Sequence, residues 1–177
     1  MGNFSLKFDK FWETFIKYNG YVKVLEGLKN TLTIAVLGLI IGIVIGTLIA
    51  TARVIPQYKV LPRILNKICS FYVALFRGTP IVVQLLVFYY VLLPLMGSRM
   101  TGIQVAVMVF GLNSAAYISE IMRGGIMSVD SGQMEAGRAV GLSFGTTMLK
   151  IVIPQAVKNI LPTMGNELIA LIKDTSV

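Results

Sequence analysis

Histidine is absent from this 177-residue chain, and cysteine occurs once, at Cys69. The first absence removes the familiar His/Cys metal centres and the Ser-His and Cys-His catalytic pairs, and the second removes any internal disulfide. Charge is scarce, at 14% of residues. No glycine loop ending in Lys-Ser/Thr occurs either, so there is no phosphate cradle of the Walker A kind. The chain is therefore expected to be no enzyme and to hold no metal and no cofactor, and nothing marks it for nucleic acid.

What remains is apolar. Apolar residues make up 55% of the chain, and the mean hydropathy is +0.77, far outside the composition of a soluble domain. They gather into runs near the roughly 20 residues that a helix needs to cross a bilayer. An all-α, polytopic membrane bundle follows.

The first 27 residues form a separate expectation. Phe4, Phe8, Phe11, Trp12 and Phe15 recur at helical spacing, while Lys7, Lys10, Glu13 and Lys17 fall largely elsewhere. That pattern predicts an amphipathic helix in the membrane interface or on the bundle's rim. The short charged region and cleavage site of a signal peptide are missing ahead of the first apolar run. The membrane domain then occupies 28–177.

Within it, four crossings are expected, at 31–50, 81–96, 102–122 and 151–172. Gly38, Gly42 and Gly46 in the first make two overlapping GxxxG steps, a seam for close helix packing. The stretch 53–77 carries Arg53, Lys59, Arg63, Lys67 and Arg77 and no acid. By the positive-inside rule it reads as a cytoplasmic loop, with Arg77 as a possible interfacial anchor and the N-terminus outside. Thr79 is the expected cap of the following helix, with Pro80 in its first turn.

The segment "SGQMEAGRAVGLSFGTTMLKIVIPQ", 131–155, is small, polar and rich in glycine. It predicts a short helix capped by Asp130 or Ser131 and ended by Gly141. Ala136, Ala139 and Val140 would share one face, small enough for a partner to approach closely. Glu135 has no second catalytic group nearby in sequence and serves the helix dipole.

Ionisable groups inside a membrane are costly and mark function by default. Glu167 and Asp174 stand two turns apart on one helix, and so do Asn113 and Glu120 on another. Together with Ser114 they could line a cavity that holds a substrate's ammonium group or a cationic side chain. The alternative pairs Glu120 with Arg123, and Asp174 with Lys173 or a neighbour.

"EAGRAVGLSFGTTMLKIVIP" resembles the EAA loop of permease subunits in bacterial binding-protein-dependent ABC importers, through Glu135, Ala136, Gly137, Gly141, Ile151 and Pro154. Gly137 stands where alanine is more usual. "LFRGTPIVVQ", "NSAAYISEIMRGGI" and "LIKDTSV" resemble the subfamily that imports polar amino acids. The resemblance implies the type I importer fold, with five membrane helices of which about four are present, and hence a chain truncated at its C-terminal end. It implies a cytoplasmic coupling loop over 123–153. There Glu135, Ala136, Gly137, Ala139, Val140 and Gly141 would dock on an ABC ATPase subunit dimer. It also implies a second permease subunit, identical or related, an extracytoplasmic solute-binding protein, an amino acid substrate, and a multi-pass place in the bacterial inner membrane. Two rivals stay open: a secondary transporter or channel subunit driven by an ion gradient, and a membrane scaffold.

Overall fold

The computed structural model describes residues 2–17, 19–56 and 58–176, with side chains from residue 6 onward. Among them all regular structure is helical. Helix α1 (Gly2–Trp12) runs through a wider π-type turn (Glu13–Lys17). Phe8 stacks on Trp12 and Phe11 on Phe15, with ring centroids 6.4 and 5.6 Å apart. Phe8, Phe11 and Trp12 keep more than half their surface exposed, and Phe4 lies outside the described side chains.

Helix α2 (Gly20–Val54) is one unbroken element. It starts before the expected span at 31, so the boundary expected at 27/28 falls inside a helix. Helix α3 (Val60–Gly78) and helix α4 (Ile81–Leu95) form a pair bent by 105°. A tight turn with Gly97 at φ 67 leads into α5 (Gly102–Met127). There Thr101 and Gln104 make a reciprocal capping box. Short α6 (Ser131–Ala139) follows, then α7 (Phe144–Thr147), a π-type turn (Met148–Val152) and α8 (Ile153–Thr175).

The hub is α5, which touches α2, α3, α4 and α8. Gly38 faces Phe110, Gly42 faces Ser114 and Gly46 faces Ile118, so α2 and α5 run parallel. A Cβ on Gly42 would stand 2.7 Å from Ser114 Oγ, and one on Gly46 would stand 2.9 Å from the Ala115 carbonyl oxygen. The glycines are what permit this approach. Helix α8 runs antiparallel to α5: Ile160 packs at Gly125, Glu167 meets Ser114, and Leu171 shares a cluster with Phe110 and Ile34.

Three sequence expectations change. The stretch 53–77 is not a loop, because α3 fills most of it and buries Val73 and Phe76 against α5. Arg63, Lys67 and Arg77 sit on one arc of an amphipathic helix, which a count of charges cannot distinguish from a loop. Of the four expected crossings, α2 and α5 are each single helices long and apolar enough to span, and the one at 81–96 is part of a bent pair with α3. Helix α8 is long enough but carries too many polar residues, among them Lys158, Asn159, Asn166 and Glu167. Thr79 does not cap α4. Its hydroxyl donates to the Leu75 carbonyl at 2.8 Å, and Pro80 precedes the first turn.

Candidate functional site

Two places collect the candidate residues. The first is α6. Asp130 caps it, its carboxylate accepting from the Gly132 N–H at 2.7 Å. Gly141, at φ 85, ends it. The Leu142 N–H then closes back on the Gly137 carbonyl at 3.1 Å, in the manner of a Schellman turn. Glu135, Ala136, Ala139 and Val140 are exposed, and Gly137 alone of the six candidates is buried. Gly137 faces inward onto Thr147, whose methyl group lies too close to leave room for a Cβ. It therefore seats the helix, while the other face stays open.

That seat is tied at three further points. Gln155 donates to Gln133 at 3.2 Å, Asn159 donates to Ser128 at 2.8 Å, and Gly125 lies against Ile160. Just above, Glu120 binds Arg53 of α2 and Arg123 of α5, the latter at 2.8 Å. The ends of α2 and α5 are thereby joined on the side where α6 lies. Of the two sequence readings, Glu120 follows the pairing one. Arg123 and Arg53 hold its carboxylate, and it does not line the cavity described next.

The second place is a cavity of about 470 Å³ where the α3–α4 bend meets α5 and α8. Asn113, Glu167 and Asp174 line it, as expected. Ser114 is fully buried behind them and donates to Glu167 at 3.1 Å. Arg77 and Tyr117 complete the polar wall, with the guanidinium carbon 5.1 Å from the ring centroid. Arg77 is thus a cavity residue.

The bend itself is held by side chains. Pro80 has no N–H to continue the helix, and the carbonyls freed before it are taken up by Gln84. Its amide nitrogen donates to the Phe76 carbonyl at 2.8 Å and to the Thr79 carbonyl at 3.0 Å. Asn113 adds bonds to the Phe76 carbonyl and to Gln84, at 3.2 and 3.1 Å. Its amide nitrogen is therefore engaged in shaping the wall.

The family described as "Binding-protein-dependent transport system inner membrane component" matches residues 38–177. The chain belongs to that family. The arginine transport system permease protein ArtQ of Bacillus subtilis (strain 168) is 42% identical over 154 residues, 87% of this chain and 68% of that protein. The putative glutamine transport system permease protein GlnP of Rickettsia bellii (strain RML369-C) is 39% identical, over 94% of this chain and 74% of its own. A crystal structure of an amino acid ABC transporter with histidines superposes with a TM-score of 0.80 at 36% identity, covering 91% of this chain and 73% of that one. The MetNI methionine transporter, at 21% identity and a TM-score of 0.68, shares the fold.

The protein is therefore an all-α membrane permease subunit of the ABC importer kind, a transporter component and not an enzyme. The ion-gradient reading has no support beside this assignment. Sequence reasoning missed Gln84 and Tyr117, and it named Arg77 without placing it in the cavity. Gln84 is a single polar residue inside an apolar run, and that exception was its one available signal.

Proposed function

We propose that this subunit passes polar amino acids through the bacterial inner membrane as a multi-pass permease. In this reading it works beside a second permease, identical or related, with an extracytoplasmic solute-binding protein delivering substrate. ATP hydrolysis belongs to a separate ABC ATPase dimer. The coupling loop over 123–153 receives its motion through the exposed face of α6, and residues 1–27 rest in the membrane interface.

The observation that carries the reading is the clamping of α6. Its open face presents Glu135, Ala136, Ala139 and Val140, while Gly137, Gln133 and the turn at Gly141 fasten its other side to the chain leading into α8. A push on such a helix is transmitted and not absorbed. Differential binding of the ATPase dimer to two permease states would then shift the balance between inward and outward openings.

The cavity supplies the substrate half. Glu167 and Asp174 suit an ammonium group, and Arg77 suits a carboxylate. A small zwitterion is the natural occupant. The glutamine named for one relative is such a zwitterion, while the arginine named for another carries a further cation, which the second acid could take.

The test is a cysteine at Ala139, with Cys69 replaced by alanine, in the full permease assembled with its ATPase. A thiol crosslink to the ATPase that changes with nucleotide is expected. Intact assembly with no crosslink would remove the docking role. For the cavity, Asp174→Asn is expected to weaken uptake while the complex stays assembled, and unchanged kinetics would take Asp174 out of the site.

A further inference from the structure

Helix α3 has three faces. One, with Val73 and Phe76, packs on α5. A second carries Leu61, Ile64, Ile68, Phe71 and Leu75, all exposed and all apolar, as a lipid-facing arc should be. The third holds Arg63, Lys67, Ser70 and Arg77, at steps of four, three and seven, with Lys59 just ahead of the first turn. Those steps return each residue to one side of the helix, in a line about 21 Å long.

This third line begins near the end of α2 that Glu120 ties to α5, and it finishes in the cavity, where Arg77 forms part of the wall. Apart from Arg77, which shares the cavity wall with Glu167 and Asp174, its cations make no ion pair among the described residues. No Asp or Glu occurs from residue 27 to residue 119. Three cations in hydrocarbon would be costly, and the neighbouring arc already meets the lipid. A polar line that leads out of a polar cavity needs water along it.

We infer that Lys59, Arg63 and Lys67 line the aqueous path between the cavity and the α6 side of the membrane. Their field favours solutes bearing a carboxylate and no net positive charge. The inference rests on the cavity being the substrate site and adds a selecting element outside it. A charged wall beside a low-dielectric one raises the local concentration of the opposite charge. Neutral and acidic amino acids therefore gain at this step over basic ones.

The experiment places a cysteine at Ser70, or at exposed Ala74 should the first variant assemble poorly, with Cys69 replaced by alanine. The full permease and its ATPase are held in inside-out vesicles. Anionic sulfonatoethyl and cationic trimethylammonioethyl methanethiosulfonates are applied, each rate normalised to that with a free thiol. The anionic reagent is expected to react about tenfold faster, the lower end for charge focusing in a cleft. The ratio should fall towards one in the Arg63→Gln, Lys67→Gln double variant. A ratio that ignores the double variant would overturn the inference. So would labelling by lipid-soluble N-ethylmaleimide alone, which would mean that the line faces lipid and its headgroups. Either failure leaves the cavity reading intact, since that reading is decided by the uptake kinetics of Asp174→Asn.

Discussion

The hydroxyl of Ser114 donates to the carboxylate of Glu167 at 3.1 Å, across the contact between α5 and α8. Ser114 is fully buried beneath Gly42, so this acid on the cavity wall is aimed from the core of the bundle. Removing the hydroxyl by Ser114→Ala removes one charge-assisted bond, about 1.5 kcal/mol. Uptake KM is expected to rise about tenfold, with kcat and assembly little changed. Ser114→Thr acts differently, because its added methyl group meets the α2 seam, and it should lower thermal stability in detergent.

Gly137 and Thr147 form a second pair with opposite tolerances. A methyl group on Gly137 would clash with the Thr147 methyl, and overpacking of this kind costs about 1–3 kcal/mol. Gly137→Ala should therefore loosen the coupling loop, read as faster proteolysis between α6 and α8 and weaker ATPase stimulation. Combining it with Thr147→Ala should restore both. Failure of the rescue would mean that the glycine is needed for another reason.

Gln84 is the main support of the bend. Gln84→Leu leaves the Phe76 carbonyl to Asn113 alone and frees the Thr79 carbonyl. Each buried group left unpaired costs about 1–3 kcal/mol. The variant should melt earlier and lose uptake of all substrates together, whereas a change in selectivity alone would argue against a structural role.

Breaking the Arg53–Glu120–Arg123 cluster should separate the ends of α2 and α5. Glu120→Gln leaves two cations facing each other. The expected cost is up to about 3 kcal/mol, the bottom of the range for buried pairs, because Arg123 is partly exposed. Adding Arg53→Gln should recover a good part of the loss, and a thermal double-mutant cycle measures the coupling.

The sequence made the long elements legible for a simple reason: α2 and α5 each contain a long apolar run, and composition reports that directly. The ends of α6 were legible because Asp130 and Gly141 act locally, through a cap and a positive φ. Glu167 and Asp174 came together as expected, since a spacing of seven fixes their shared face. Helix α3 was not legible. Its five-cation neighbourhood looks like a cytoplasmic loop until the cations are placed around the helix, and what buries Val73 and Phe76 is α5, distant in sequence. Arg77 went astray with it. Gly137 was grouped with its exposed neighbours because sequence carries no sign of Thr147 lying across it.

The parallel course of α2 and α5 has a topological consequence. Two neighbouring helices that point the same way cannot be joined by a short turn, so the chain must travel back the full height of the pair before α5 can begin. The α3–α4 unit is that return journey, broken at Thr79 and Pro80. The break brings Arg77 to the cavity wall and the Gln84–Asn113 hydrogen bond against α5. The cavity can thus be seen as a by-product of routing: glycines that let two helices lie side by side oblige the connecting chain to fold through the space where a solute can rest.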